Sequence, residues 1–289
     1  MTLSLTFALI STLLSFTVAQ FTENWASTTS PTFVTYGTHG SPESAFADPA
    51  ALDGRALRLT LNANPPAGVG GAPAAETYGR FKYGTYWTRA KTGNCSNQPL
   101  AGVVSGIFTY FNDQGDRNGN GIADNSEIDF EWLCADPKVV HLSIWTDYQE
   151  SNPPNIRVVY RTIDLSTGRV QMECYREQFG ECRLLSGPER QPATVTPISG
   201  YDSSTEYFWY GLEFAADRVH FMIRGRNDEV ITLWDYRGPA ARMPNDEMHF
   251  MHNVWHTNNW WPEGDDGTMI ESPRSPVYMF VDSSSFTPL

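Results

Sequence analysis

The stretch that decides the fold is NSEIDFEWL, Asn125–Leu133. Glu127, Asp129 and Glu131 alternate there with Ile128 and Phe130. On a β-strand, residues i, i+2 and i+4 point to one face and the residues between them to the other. The pattern predicts a strand with three carboxylates on one side and bulky apolar side chains buried on the other. The segments around it read the same way. ALRLTL (Ala56–Leu61), YGRFKYGTYWTRAK (Tyr78–Lys91), GVVSGIFTYF (Gly102–Phe111), KVVHLSIWTDY (Lys138–Tyr148) and NIRVVYRTIDL (Asn155–Leu165) carry strand patterns. So do EYFWYGLEFAADRVHFMIRG (Glu206–Gly225), with a turn at Ala215–Asp217, DEVITLW (Asp228–Trp234), EMHFMHNVW (Glu247–Trp255) and SPVYMFVDS (Ser275–Ser283). The stretches Asn62–Ala75 and Asn112–Asn125 are rich in turn residues. Long amphipathic helices, repeats and inter-domain linkers are not found. About ten or more strands separated by turns imply an all-β sandwich or barrel, read as one domain over residues 20–289.

Residues 1–19 are apolar and uncharged, and small residues at Thr17 and Ala19 suit cleavage before Gln20. They read as a secretory signal peptide; a membrane anchor is the alternative. The formal net charge of −13 disfavours nucleic acid, anionic membranes and polyanionic substrates and is compatible with a neutral polymer. Four cysteines in a secreted chain imply two disulfides. The short separation favours Cys174–Cys182, leaving Cys95–Cys134. Zinc is the weaker reading because no CxxC spacing occurs.

At ~3.3 Å per residue the outer two Cα atoms of the acidic triplet stand about 13 Å apart. Side chains leaning inward bring their carboxyls to about 5–6 Å, near the ~5–5.5 Å of a retaining glycosidase pair. Repulsion among three such groups raises at least one pKa, which is what a general acid needs. Other readings are a sandwich strand whose solvent face happens to be acidic, and a metal site.

The triplet also carries a resemblance. EIDFE matches the ExDxE motif of glycoside hydrolase family 16, whose members include lichenases, laminarinases, xyloglucan transglycosylases and galactanases. YGTYWTRAK, GVVSGIFTYF, KVVHLSIWTD, YFWYGLEFAADRVHFMIRG and HNVW resemble further segments of that family in the same order, from about Tyr78 to Trp255. The resemblance implies a β-jelly-roll of two antiparallel sheets, concanavalin A-like, with a carbohydrate cleft on the concave face. It implies Glu127 as nucleophile, Glu131 as general acid/base and Asp129 as assisting carboxylate, with no catalytic cofactor. It places Trp145 and Trp255 as sugar platforms. His141 and Ser143 share the strand face of Trp145, and Asn253 that of Trp255, so these are candidate polar contacts. Core packing is the expected role of Tyr110, Trp132 and Trp209. Two departures bear on the substrate: Asn125 stands where many relatives carry Trp, and Phe214 where Trp is usual.

DRNGNGIADNSE (Asp116–Glu127) fits a calcium-loop pattern. Its twelfth position is Glu127, and its flanks read as strands where an EF-hand needs helices. A plain hairpin turn is the preferred reading, and a shortened structural calcium loop using Asp116, Asn118, Asn120 and Asp124 is the alternative. His249, His252 and His256 differ in strand parity, so surface or cleft histidines are expected instead of a zinc site. The expected protein is a secreted, monomeric, retaining endo-glycosidase acting on a neutral polysaccharide. A β-1,3- or mixed β-1,3/1,4-glucan comes first as substrate and β-1,3-galactan next. Transglycosylation on the same residues, a non-catalytic lectin-like protein and a calcium-dependent adhesion protein are the rivals.

Overall fold

The structure is a computed structural model that describes residues 20–150, 155–177, 180–260 and 270–289. The proposed signal peptide, residues 1–19, lies outside them. The first strands are β1 (Phe21–Glu23), β2 (Phe33–Tyr36), β3 (Gly40–Ala47), β4 (Arg55–Leu61), β5 (Ala74–Thr77) and β6 (Gly84–Lys91). The middle of the chain forms β7 (Val103–Phe111), β8 (Asp124–Leu133), β9 (Val139–Gln149), β10 (Asn155–Asp164), β11 (Arg169–Glu177) and β12 (Arg183–Leu184). Then follow β13 (Phe208–Ala215), β14 (Arg218–Arg224), β15 (Val230–Tyr236), β16 (His249–His256) and β17 (Val277–Pro288). Helical structure among the described residues is limited to 3-10 turns at Gly187–Arg190 and Ala240–Arg242.

These strands make two antiparallel sheets packed face to face. One has the order β15-β14-β13-β6-β17-β4-β3, with β1 also on β17; the other has the order β12-β11-β10-β9-β8-β7-β16-β5-β2. The all-β two-sheet expectation is therefore met. In the second sheet β7 to β12 form a continuous antiparallel meander, while β16 returns from far along the chain to pair with β7 and β5. That return brings Asn253 and Trp255 onto the sheet that carries the acidic strand.

The inner face of β8 anchors the sandwich. Ile128, Phe130 and Trp132 are fully buried or nearly so. Phe130 stacks on Trp132 at 5.8 Å and meets Phe221 of the opposite sheet edge-on at 5.2 Å. Trp132 packs on Tyr210 at 4.5 Å and donates its indole N–H to the Tyr201 hydroxyl at 3.1 Å. This inner face also locks the register. A slip of one residue would put Glu127, Asp129 and Glu131 between the sheets and these apolar groups in water.

The strands missing from the sequence reading are β1, β2, β3, β5, β11 and β12. Four of them, β1, β2, β5 and β12, are four residues or shorter, too short for a period to show. β3 contains Pro42 and pairs only with β4 at a sheet edge, where a missing N–H is tolerated. Gly84 opens β6. A Cβ there would lie 2.3 Å from the Phe286 ring, so a side chain at this position has no room.

Both expected disulfides are formed, Cys95–Cys134 and Cys174–Cys182. They span 39 and 8 residues. The loop-entropy model gives about 4 kcal/mol for the first and about 2.5 kcal/mol for the second. Paired Cys→Ala variants compared by chemical denaturation should show the larger loss at Cys95/Cys134; the reverse order would contradict this account.

Candidate active site

The outer face of β8 presents the acidic triplet to an open cavity of about 510 Å³. Each carboxylate has a defined neighbour on either side. Glu127 lies between Tyr110 of β7 and Trp145 of β9, Asp129 between Phe108 and Ser143, and Glu131 between Gly106 and His141. Gly106 leaves room there. A Cβ on it would stand 2.6 Å from the Asn253 Oδ1 atom across the strand pair. The absence of a side chain lets Asn253 lie close beside Glu131 on the cavity floor.

Asp129 is the most deeply set of the three, 3% exposed. The Ser143 hydroxyl donates to its Oδ2 in a short contact, and the Trp145 indole N–H donates to the same hydroxyl at 3.0 Å. The Asn125 amide donates to Glu127 Oε2 at 2.8 Å. Burial pushes all three carboxyl pKa values up. Glu127 rises to about 7 against the stabilising hydrogen bonds from Asn125 and Asp129. Glu131 rises to about 8, by burial and then by the Glu127 charge. Asp129 is held well above the usual carboxylate range by burial and by both neighbours, against donation from Ser143 and Trp145. A strand that holds three raised carboxyls in a cavity, one of them protonated near neutral pH, has the elements of paired acid and nucleophile chemistry.

Trp145, Trp255 and Asn253 line the cavity with the triplet, as expected of them. Trp145 flanks Glu127 on β9. Trp255 pairs with Val104, which pairs with Leu133, so the two indoles lie diagonally across the carboxylates. His141 and Ser143 differ from the sequence reading. They share the face but are 2% and 1% exposed, because strand parity sets direction and not depth. Ser143 supports Asp129. His141 is neutral, its pKa pushed down to about 3 by burial, and its Nδ1 faces the Thr162 hydroxyl at 3.0 Å.

Other cavity residues escaped the sequence reading. Tyr110, expected in the core, lines the cavity opposite Glu127; Phe108, Tyr148 and Met251 also line it, together with Tyr36 and Val69 from the amino-terminal segments. Strand parity with Asp129 across the β7–β8 pair could have found Phe108 and Tyr110; nothing local points to Tyr36 or Val69. Trp132 is core as expected, but Trp209 is only half-buried, on the outer face of the other sheet, because its neighbours Phe208 and Tyr210 take the inner positions. Phe214 is fully buried and far from any role in the cavity.

The Asp116–Asp124 loop satisfies its acceptors internally. Asp116 accepts the backbone N–H groups of Asn120 and Gly121 at 3.1 and 2.9 Å. Asn118 donates to Asp124 and to Asp147, and Asn120 to Asp147 at 3.1 Å. Arg117 stands 3.4 Å from Asp124, and Arg157 3.1 Å from Asp147. With amides and guanidinium groups already on these carboxylates, the residues do not present a set of free oxygens, and the arrangement is that of a braced turn. Among the described residues no cluster of three or more His, Cys, Asp or Glu is placed to hold a metal. The histidines also depart from expectation. His252 is fully buried between the sheets, its Nε2 3.0 Å from the Thr88 hydroxyl and 3.1 Å from that of Ser284. His256 is buried against the Gly102 carbonyl, and only His249 is partly exposed. The even-numbered residues of β16 face the core, which parity alone could have told.

No family model and no curated protein matches the chain. Solved structures do. The Bacteroides ovatus mixed linkage glucan PUL GH16 in complex with its G4G4G3G product aligns with a TM-score of 0.55 at 12% identity, over 92% of this chain and 99% of that one. A prokaryotic β-1,3-1,4-glucanase (lichenase) from a mouse hindgut metagenome aligns with a TM-score of 0.52 at 16% identity, over 93% and 99%. The Crh5 transglycosylase in complex with NAG aligns at 0.52 and 16%, over 93% and 83%. The chain thus has the two-sheet jelly-roll fold of these proteins, and its acidic strand lies in a cavity on the outer face of one sheet.

Proposed function

We propose that this chain is a secreted retaining endo-glycosidase of glycoside hydrolase family 16 that cleaves internal β-linkages of a neutral polysaccharide. The observation that carries the reading is the acidic triplet itself: three carboxylates on one strand face, opening into a cavity with two half-buried tryptophans. Glu127 attacks the anomeric carbon, Glu131 protonates the leaving oxygen, and Asp129 holds the proton balance between them. The hydrogen-bond pattern supports this division. Glu127 receives a donor from Asn125, which favours its ionised form, while Glu131 carries the higher pKa. In the second half-reaction Glu131, now ionised, takes a proton from water, which attacks the glycosyl-enzyme from the face the leaving sugar vacated.

The substrate proposed first is a β-1,3- or mixed β-1,3/1,4-glucan. The lichenase and the mixed-linkage-glucan protein of like fold support it, and a net charge of −13 disfavours polyanions. Two disulfides support secretion. The protein is proposed to act as a monomer and without a catalytic cofactor. The Crh5 neighbour supports a second reading, transglycosylation, in which a sugar hydroxyl replaces water at the same intermediate. Digestion of laminarin, mixed-linkage glucan and β-1,3-galactan, with and without an oligosaccharide acceptor, tests these readings. Internal cleavage of one glucan with new reducing ends is expected. Longer chains without new reducing ends would assign transglycosylation, and binding without any bond cleavage would assign a lectin.

The two cavity tryptophans give a further expectation. Trp145→Ala and Trp255→Ala should each raise KM by about tenfold or more, since a sugar ring loses its apolar contact face. Stability should change little, because both indoles are half-buried. Thermal unfolding beside KM separates the roles; a stability loss of about 3–5 kcal/mol, as for a core Trp, would make that residue structural.

A further inference from the structure

We propose that Asn125 is a positioning residue that holds a permanent N–H donor on Glu127, and that Asn112 and Gln114, outside the cavity, dictate which end of the Asn125 amide faces the carboxylate. The geometry stands by itself; its consequence for catalysis rests on the glycosidase reading.

A carboxamide has nearly the same outline whichever way it points, so its orientation follows from its partners. Here the chain of partners begins at a group with no ambiguity. The backbone N–H of Gln114 can only donate, and it donates to Asn112 Oδ1 at 2.8 Å; the Gln114 side-chain amide donates to the same oxygen at 2.9 Å. Asn112 must therefore turn its NH2 group the other way, where it donates to Asn125 Oδ1 at 3.2 Å. With its oxygen occupied, Asn125 has only its NH2 group for Glu127, and it donates to Oε2 at 2.8 Å. Asn125 is 2% exposed, so water does not compete for either end. Gln114 adopts φ +63°, a left-handed conformation that is uncommon for a residue with a side chain. That turn is what aims its N–H back at Asn112.

A donor on a carboxylate favours the ionised form. Asp129 also hydrogen-bonds Glu127 in its favour, but only while Asp129 itself holds a proton, whereas the Asn125 amide donates at every pH; the remaining groups around Glu127 give it no such donor. Asp129 and Glu131 share its strand face, Tyr110 faces it from β7 with His249 beyond on β16, and Trp145 and Tyr148 come from β9. Asp147, farther along β9, is occupied by Arg157 and the loop amides. The amide relay is thus the device that separates two chemically identical glutamates into an ionised nucleophile and a protonated acid. It occupies the position where the family resemblance leads one to expect tryptophan.

The test is an NMR titration of the Glu127 carboxyl carbon in the whole chain, labelled at glutamate and assigned with Glu127→Gln. In Asn125→Ala the Glu127 midpoint should rise by about one pH unit or more, the size expected for losing a hydrogen bond to a charged group. Asn112→Asp keeps the outline and touches Glu127 nowhere. It offers Asn125 only acceptors, so the Asn125 amide turns over and brings its carbonyl to Glu127, and the midpoint should rise again. Because salt screens a partly buried charge little, Asn112→Leu, which removes the donor to Asn125 without adding a charge, is the uncharged control, and its midpoint should also rise. An unchanged midpoint in Asn125→Ala overturns the donor role. A rise there with no change in Asn112→Asp overturns the relay. The acid limb of kcat/KM should move upward with the midpoint. If the chain cleaves no glycan at all, the glycosidase reading fails, and the carboxyl titration still decides the relay.

Discussion

Glu127→Gln is expected to lose essentially all turnover, on the order of 10⁴–10⁶-fold in kcat, the scale seen when a covalent nucleophile is removed from a hydrolase. The substitution keeps the outline of the side chain and can still accept from Asn125. The cavity should therefore still bind the polysaccharide. Stability gives an independent readout with a definite sign. The folded pKa of Glu127 is raised to about 7 from an ordinary carboxylate value. The folded state then holds its proton more tightly than the unfolded state, so its contribution to stability is lost as pH rises through 7. Glutamine has no proton to lose. The variant should match the parent near pH 4 and be the more stable of the two at pH 8, by chemical denaturation. Near-parental hydrolysis by Glu127→Gln would remove Glu127 from the mechanism. A variant that is less stable at pH 8 would mean that the carboxyl is not held in the environment described.

Glu131→Ala is expected to separate the two half-reactions. An aryl glycoside with a good leaving group needs little protonation, so Glu127 still forms the glycosyl-enzyme. Hydrolysis of that intermediate then stalls because no base activates water. Added azide, which needs no base, should restore turnover and release a β-glycosyl azide. Azide forms the new C–N bond as the bond to the Glu127 carboxylate breaks, so two inversions leave the β configuration. On the parent enzyme the same logic gives a β-anomer as the first product from a β-linked glucan, seen by NMR before mutarotation. An α-azide or an α-anomer at early times would mean inversion. That outcome needs carboxyls about 6.5–9.5 Å apart with a water between them, and it would displace Glu127 as nucleophile.

Burial raises Glu127 and Glu131 together, and burial alone does not choose between them. What distinguishes them is hydrogen bonding: Glu127 has the Asn125 amide and a bond from Asp129, and Glu131 has Gly106 on one side and the uncharged His141 on the other. On the proposed mechanism, acid and nucleophile are set by neutral donors, with no cation needed next to either group. The operating pH should then lie between the two carboxyl midpoints, where Glu127 is ionised and Glu131 is not.

Much of this site could be read along the chain, because strand parity is local. Alternation at Asn125–Leu133 was enough to put Glu127, Asp129 and Glu131 on one face and Ile128 and Phe130 on the other, since that needs only an extended backbone. Parity likewise aligned His141, Ser143 and Trp145, and it paired Asn253 with Trp255. The two disulfides followed from cysteine number and spacing. What parity does not contain is depth. Ser143 and Trp145 point the same way, yet one is sealed under Asp129 and the other lines the cavity, because neighbouring strands and loops cover the sheet unevenly. Tyr36 and Val69 reach the cavity only because β2 and β5 extend the sheet beyond β16, a pairing between segments far apart in sequence. The contact of Asn112 with Asn125 depends on the turn that brings the end of β7 beside the start of β8. The raised carboxyl pKa values belong wholly to the assembled sandwich, for desolvation arises when the strands close around the charges and exists on no isolated strand.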